Sequence, residues 1–167
     1  MATHLKNLSD YNVNEMPDAI EYRVGIVVSE WNDSITGKLL DGSVHTLLKN
    51  KVRETNIHIS RVPGTFELTL GAQLLAENIN LDAVIALGCV IQGETRHFDF
   101  ICHSVTQGIT DLNIKYNIPF IFGVLTTENF QQAEERAGGR HGNKGDEAAI
   151  TAIKMIGLQK SLEKLSK

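Results

Sequence analysis

Short β-branched runs alternate along the chain with segments of helical periodicity, and this alternation restricts the possible folds more than any other feature. The runs cover residues 23–29, 56–62, 83–91 and 119–125. Since parallel strands must be joined by long crossovers, usually helices, this order indicates parallel strands with helical crossovers. The third and fourth runs are almost continuously apolar, as in strands that are covered on both faces. The sequence therefore predicts a sheet between two layers of helices.

A helical pattern follows each of these runs. We expect helices over residues 36–51, 66–78 and 147–165, and one that begins near Asp99. The helix near Asp99 has the clearest apolar stripe, formed by Ile101, Val105, Ile109, Leu112 and Tyr116. The predicted fold is thus a flavodoxin-like three-layer α/β/α sandwich with a four-stranded parallel sheet, whose ligands bind at the carboxyl ends of the strands.

The segment after the fourth run carries signals for one further helix. Thr126 or Thr127 can accept hydrogen bonds from free helix N–H groups, and Glu128 suits the positive end of a helix dipole. Gly138 and Gly139 are expected to end this helix.

Length and charge limit the class of protein. The 167 residues suit a single domain, predicted over residues 22–165, with residues 1–21 as a tail or an arm lying on a neighbouring subunit. A net charge of −4 without a block of like charge argues against a nucleic acid partner but leaves room for a small anionic ligand. No apolar run approaches the length of a membrane span, and residues 1–21 do not resemble a secretory leader, so we expect no membrane segment and a cytoplasmic location.

The spacing of histidines and cysteines does not favour a metal site. The histidines form no HxxxH or similar pattern, and Cys89 and Cys102 are too far apart in sequence for a zinc or redox pair. We expect two buried thiols and no metal.

Residues 88–100, GCVIQGETRHFDF, almost match the phosphate-binding loop of nucleotide-binding proteins. Gly88 and Gly93 have the required separation, and Thr95 occupies the place of the hydroxyl residue of such a loop. Glu94, however, stands where the loop carries lysine. Because Glu94 would repel nucleotide phosphates, an ATPase or GTPase is disfavoured. The backbone amides near Glu94 and Thr95 can still bind one small phosphate, the alternative being a tight turn with a capping threonine.

Two further residues at predicted strand ends have chemistry suited to a site. His97 follows the phosphate-like turn and can act as a general acid and base near neutral pH, although a solvent-facing histidine is the simpler interpretation. Trp31, the only tryptophan, lies just beyond the first strand and can stack on a flat heterocycle; core packing or a subunit contact is the alternative.

A sharp turn and a basic cluster complete the candidates. In VPGTFE, proline and glycine favour a turn that exposes Thr65, Phe66 and Glu67, which can contact hydroxyl groups, whereas Glu67 can also be an ordinary first-turn carboxylate. The basic residues around the glycine-rich loop either form a solvated surface or supply a counter-charge to phosphate; they are Arg136, Arg140 and Lys144.

Taken in order, the motifs VGIVVSEWN, VPGTFE, GCVIQGETRHFDF, IFGVLTTEN and QAEERAGGRHGNKGDEAA resemble the lumazine synthase family of riboflavin biosynthesis. The resemblance covers residues 23–156. It implies condensation of 5-amino-6-(D-ribitylamino)uracil with 3,4-dihydroxy-2-butanone 4-phosphate to 6,7-dimethyl-8-ribityllumazine, with release of phosphate and water. It also implies that neither a cofactor nor a metal takes part.

The resemblance assigns roles to matching positions. Trp31 and Asn32 match the place where an aromatic ring stacks on the pyrimidine, and His97 matches the catalytic histidine. The remaining matches are Thr65, Phe66 and Glu67 for the ribityl chain, Cys89, Val90 and Ile91 for the ring edge, Glu94 and Thr95 for phosphate, and Phe122 and Arg136 from the adjacent subunit, with Arg136 on the phosphate. Lys144 is a further candidate contact.

The same resemblance implies an oligomer with sites between subunits, at least a pentamer, and riboflavin synthase as a candidate partner. The loop lacks the insertion of members that stop at pentamers, which favours a sixty-subunit shell of twelve pentamers.

Two departures matter: Trp31 replaces the commoner Phe, which adds riboflavin or lumazine binding as a second hypothesis, and Arg140 and His141 differ from the residues usually found before GNKG.

Overall fold

A parallel sheet of four strands forms the centre of the molecule, as seen in a computed structural model that describes residues 11–12 and 15–165. The strands are β1 (Val24–Ser29), β2 (Ile57–Val62), β3 (Ala83–Ile91) and β4 (Phe120–Thr127). Their order in the sheet is β2-β1-β3-β4, and every neighbouring pair is parallel. The predicted sheet is confirmed, and the order changes direction between β1 and β3, where a doubly wound fold opens a crevice.

Helices connect the strands and cover both faces of the sheet. The long helices are α1 (Asp33–Lys49), α2 (Leu68–Asn78), α3 (His97–Tyr116) and α5 (Lys144–Leu165). A short helix, α4 (Phe130–Glu134), precedes a two-stranded antiparallel ribbon of β5 (Ala137–Gly139) and β6 (Gly142–Asn143). The three-layer α/β/α sandwich is therefore present.

The alternating side chains of the strands divide the core into two parts. Ile26 and Ile85 face one side, where they pack with residues of α1 and α5, while Val27 and Ala86 face α2 and α3 on the other side. All four side chains are almost fully buried. Because both faces are covered, the apolar runs of β1 and β3 are those of a doubly wound sheet.

The segment after β4 differs from its prediction. Thr126 and Thr127 belong to β4, since its pairing with β3 extends to Ile91↔Thr127. The helix is capped instead by Asn129, whose Oδ1 accepts a hydrogen bond from the Gln132 N–H at 2.9 Å. The predicted cap was thus wrong by two residues at least, and strand pairing is the reason.

The predicted end of that helix was also wrong. Gly138 and Gly139 lie in the ribbon rather than at a helix terminus, and α4 ends earlier, at Glu134. Gly138 has a φ of 105°, in the left-handed region that glycine adopts readily, which suits the turn of a short ribbon.

The predicted tail is partly described. Ala19 is fully buried against the chain's own core, and Met16 packs on the same cluster. Residues 1–10, 13 and 14 lie outside the described residues. Among the described helices, none has the length and apolar character required to cross a membrane.

Candidate functional site

A cleft of about 800 Å³ opens at the carboxyl ends of β1, β2 and β3, beside the crevice of the sheet; we name it the strand-end cleft. This is where ligands bind in open α/β sheets. Most of the predicted site residues line it, together with five that were not predicted as contacts, Pro63, Gly64, Gly93, Phe98 and Ile101. The predicted ones are Trp31, Asn32, Thr65, Phe66, Glu67, Cys89, Val90, Ile91, Thr95 and His97.

The turn after β1 presents an aromatic face. Trp31 has 73% of its surface exposed, so its ring is free to stack on a ligand. The backbone of the turn is fixed to the turn after β2, since Glu30 N–H donates to the Val62 carbonyl at 2.8 Å and Trp31 N–H donates to the Pro63 carbonyl at 3.1 Å. The exposed indole thus stands on a well-bonded backbone.

The VPGTFE turn leads directly into α2 and presents its side chains to the cleft. Phe66 is 58% exposed and Glu67 immediately precedes the helix, while Thr65 is buried. A Cβ at Gly88 would lie 2.9 Å from Thr65 Oγ1, so the absence of a side chain there lets β3 and this turn approach closely. The predicted turn is present, but the expected exposure of Thr65 was wrong, because this side chain packs against β3 at Gly88.

The end of β3 forms the apolar floor of the cleft. Burial raises the pKa of the Cys89 thiol to about 11, so this side chain is an uncharged thiol at neutral pH. Cys102, in contrast, is only partly buried, which departs from the expectation of two buried thiols. Val90 and Ile91 continue the floor toward the turn that holds Gly93.

The turn between β3 and α3 brings a histidine and backbone amides to the cleft. The helix begins at His97, whose N–H donates to Thr95 Oγ1 at 3.4 Å. The positive dipole end of this helix favours an anion. Glu94 is exposed and its side chain is not among the groups that line the cleft.

A second cleft, of about 790 Å³, lies along the outer strand β4 and α5; we name it the edge cleft. It contains three of the four predicted residues that do not line the strand-end cleft, Phe122, Arg136 and Lys144; the fourth, Glu94, lines neither cleft. The guanidinium Nη1 of Arg136 donates to the Gln132 carbonyl at 2.9 Å. Within the described part of the chain, no carboxylate lies at ion-pair distance from Arg136, so its charge is available to an anion.

Lys144 has a different electrostatic state from Arg136. Its Nζ donates to both carboxylate oxygens of Glu147 at 2.6 Å, and both side chains are mostly buried. Sequence reasoning missed Glu147, although its position three residues after Lys144 on a helix would allow this pair. Lys144 is therefore largely neutralised, and Arg136 is the free cation of the edge cleft.

The two clefts have no lining residue in common, and their chemistry differs. Within the described residues that line the strand-end cleft there is neither lysine nor arginine. Nor does any group of three or more His, Cys, Asp and Glu side chains lie where it could hold a metal, as far as residues 11–12 and 15–165 are concerned.

This fold, with an exposed indole and the N-terminus of a long helix at the switch point of the sheet, is typical of α/β proteins that bind a small ligand in such a cleft. Comparison with known proteins narrows the class. The family of 6,7-dimethyl-8-ribityllumazine synthase matches residues 21–160. This chain belongs to that family.

Curated relatives bear the same name. The 6,7-dimethyl-8-ribityllumazine synthase of Parabacteroides distasonis is 63% identical, over 93% of this chain and 98% of the relative. The one of Cytophaga hutchinsonii is 60% identical over 93% and 98%, and that of Porphyromonas gingivalis is 57% identical over 96% and 99%. The similarity thus extends over nearly the whole of each protein.

Proposed function

We propose that the chain is an active 6,7-dimethyl-8-ribityllumazine synthase, a transferase in the penultimate step of riboflavin biosynthesis. It condenses 5-amino-6-(D-ribitylamino)uracil with 3,4-dihydroxy-2-butanone 4-phosphate and releases phosphate and water. The observation that carries the proposal is the strand-end cleft, which combines an aromatic face, a hydroxyl-reading turn and an anion-binding helix terminus. Membership of the family supports the same reaction.

The uracil amine is proposed to bind across the strand-end cleft. Its flat ring would stack on Trp31, and its polar edge would meet the backbone at the end of β3. The ribityl hydroxyls would meet the turn before α2, where a carboxylate and a hydroxyl group face the cleft. The proposed contacts are Asn32, Thr65, Phe66, Glu67, Cys89, Val90 and Ile91, completed by Phe122 and Lys144 from the edge cleft.

The phosphate of the second substrate is proposed to bind at the start of α3. The backbone amides of Glu94 and Thr95 would donate to its oxygens, so the Glu94 carboxylate can point away. Amides alone leave most of the phosphate charge unbalanced, and the cleft's own lining includes no lysine or arginine. We therefore assign Arg136 as the counter-charge, because a guanidinium binds phosphate through two parallel hydrogen bonds.

His97 is proposed to move the protons. The amine attacks the ketone, water leaves to give a Schiff base, phosphate is eliminated, and the second amine closes the ring with loss of water. Schiff-base formation and ring closure transfer protons to and from nitrogen and oxygen, and the elimination of phosphate removes a proton from the carbon next to the one that bears it. An imidazole at the edge of the cleft can accept and return these protons. The rest of the catalysis is positioning of the two substrates.

Since Arg136 and His97 line different clefts of one chain, we propose that a site is completed by a neighbouring copy. The strand-end cleft of one subunit would face the edge cleft of the next, so the active form is an oligomer. We retain the pentamer as its smallest form and a shell of twelve pentamers as the assembled one. A cytoplasmic location and riboflavin synthase as a partner are further predictions.

The decisive assay mixes the protein with the uracil amine and the butanone phosphate and follows lumazine fluorescence against the uncatalysed condensation. We expect a rate well above that background. His97→Ala should lower turnover about 100-fold, the usual contribution of a general acid–base group, while leaving assembly unchanged. His103→Ala is the matched control on the same helix, with its Nδ1 bonded to the Asp99 carbonyl, and should keep full activity. A wild-type rate equal to background would overturn the proposal.

A second candidate, storage or transport of riboflavin or lumazine in the same cleft, is favoured by the exposure of Trp31. A titration with riboflavin, followed by quenching of Trp31 fluorescence, tests it directly. Tight binding in a protein without synthase activity would establish a carrier, whereas binding together with turnover would make riboflavin a product-like ligand of the synthase. No quenching at all would exclude the carrier.

A further inference from the structure

Asn32 has an unusual backbone conformation for a residue that immediately precedes a helix. It precedes α1 with a φ of 60° and a ψ of 44°, in the left-handed region. Within the described part of the chain, the other non-glycine residues with positive φ are Lys51 and Asn117, which lie just after helices, where this conformation is common. A residue at the start of a helix normally adopts an extended conformation instead.

The side chain of Asn32 also does not cap the helix. Asparagine at this position normally caps the helix by accepting a hydrogen bond from a free N–H group, but Asn32 makes no such bond. Its Nδ2 donates instead to the carbonyl of Cys89, at 3.0 Å. The strained backbone and the missing cap are both costs to stability, so the bond they permit points to a function.

This hydrogen bond joins the turn after β1 to β3, the two sides of the crevice. The pairing of β1 with β3 ends at Val28↔Leu87, so Cys89 lies beyond the last paired residue. On its other side β3 stays paired with β4, where Cys89 lies opposite Leu125, so this carbonyl belongs to a fixed strand. Asn32 thus ties the turn after β1 to a rigid reference point on the floor of the cleft.

Trp31 depends on this tie more than an ordinary aromatic residue would. Its ring is 73% exposed and gains little support from packing, so its position follows that of its backbone. The bonds of Glu30 and Trp31 N–H groups hold the turn to β2 and its following turn, whereas the Asn32 amide is what holds it to β3. The Asn32 amide is therefore the direct side-chain link between the turn that carries the ring and the floor of the cleft.

We propose that Asn32 is a positioning residue: by holding the turn to the Cys89 carbonyl it fixes the separation between the Trp31 ring and the backbone of Val90 and Ile91. That separation is the width of the slot for the flat ring of the substrate. This inference rests on the proposed function for its substrate, and it goes beyond the assignment of Asn32 as a direct contact.

The test is Asn32→Asp, which keeps the shape of the side chain and tolerates the left-handed region but places an oxygen against the Cys89 carbonyl. Asn117→Asp is the matched control, since Asn117 also has positive φ, at 51°, and ends α3 away from both clefts. For Asn32→Asp we expect the KM for the uracil amine to rise about 10-fold, as for loss of one hydrogen bond, and the KM for the butanone phosphate to stay unchanged.

A readout without ligand separates positioning from direct contact. Because Trp31 is the only tryptophan, its fluorescence anisotropy reports on the turn alone. The anisotropy should fall in Asn32→Asp, and also in Asn32→Gly, which adopts the same backbone but has no amide, while the Asn117→Asp control matches wild type.

Each outcome decides the inference. A raised KM with unchanged anisotropy would show direct contact only and overturn the positioning role, and so would wild-type values in both measurements. If the wild-type protein makes no lumazine above background, the proposed function fails by itself. The anisotropy of the ligand-free variants still tests the hydrogen bond between Asn32 and the Cys89 carbonyl in that case, because this measurement requires no substrate.

Discussion

The strand-end cleft and the edge cleft have nearly the same volume, about 800 and 790 Å³, yet each has what the other lacks. The first has the exposed indole, the imidazole and the start of a long helix. The second has a guanidinium without a carboxylate partner and a half-exposed phenyl ring, Phe122. A phosphate-bearing substrate with a flat partner needs both sets of groups.

Under the proposed function, this difference means that one chain holds two halves of a site rather than two sites. The strand-end cleft belongs to β1, β2 and β3, whereas the edge cleft lies along β4, one of the two edge strands of the sheet. An outer strand is where a second copy can approach, because it has a neighbour on one side only. Substitutions in each cleft test whether the two clefts act together as one site.

Arg136→Ala should have the largest effect. Loss of a charge-assisted contact to phosphate should raise the KM for the butanone phosphate about 10- to 100-fold, with a smaller change in the KM for the uracil amine. Steady-state kinetics with each substrate varied in turn measures both values.

Arg140→Ala is the control for this variant. Arg140 lies between β5 and β6, pairs with Glu135 at 3.3 Å, and does not line either cleft. It should retain wild-type constants. If the two variants behave alike, the phosphate is bound by general positive charge on this loop and not by the edge cleft.

Gly145→Ala should damage the edge cleft by an intermediate amount. A Cβ at Gly145 would overlap the backbone carbonyl of Leu39, so α5 would have to move away from α1 at the point where Lys144 and Glu147 begin the helix. We expect a loss of about 1–3 kcal/mol in the free energy of unfolding, the usual cost of overpacking. Chemical denaturation measures it.

The same substitution at Gly37 is the matched control. Gly37 lies within α1 with open space around it, so alanine there should stabilise the protein by about 0.5–1 kcal/mol.

Gly145→Ala should also weaken phosphate-substrate binding while leaving Trp31 fluorescence unchanged. An altered Trp31 spectrum would mean that the two clefts are not structurally independent.

The smallest effect concerns the floor of the strand-end cleft. With its pKa raised to about 11 by burial, Cys89 has about one thiolate per thousand molecules at pH 8, so iodoacetamide should leave it unmodified and activity intact. Mass spectrometry after alkylation checks this, and Cys102, which is less buried, serves as the internal comparison. Rapid modification of Cys89 would contradict a closed apolar floor.

Much of the strand-end cleft could be predicted from the sequence, because strand ends and turns follow local rules. The prediction of residues 83–91 matches β3 at both ends, and Trp31 is exposed as expected for a residue outside an apolar run. His97 and the VPGTFE turn lie at the predicted edge of the sheet because parallel strands bring their carboxyl ends together.

The edge cleft was harder to predict, since it depends on pairing and packing between distant segments. Strand pairing with β3 kept Thr127 in β4 and moved the helix cap to Asn129, although both residue types are good caps. The sequence did not show either that Lys144 is ion-paired while Arg136 is not. They differ because Glu147 lies within hydrogen-bond distance of Lys144 alone.

The most direct test of the shared site is complementation between two impaired variants, assayed at a butanone phosphate concentration well below the raised KM of Arg136→Ala, where each variant alone is nearly inactive. Arg136→Ala and His97→Ala chains, carrying different affinity tags, are co-expressed, and mixed assemblies are isolated by both tags. If each site takes His97 from one chain and Arg136 from its neighbour, random mixing in equal amounts restores about a quarter of the sites. We therefore predict that synthase activity rises to about a quarter of the wild-type rate. Activity no greater than the mean of the two variants alone would show that His97 and Arg136 act from the same chain, and would contradict the account.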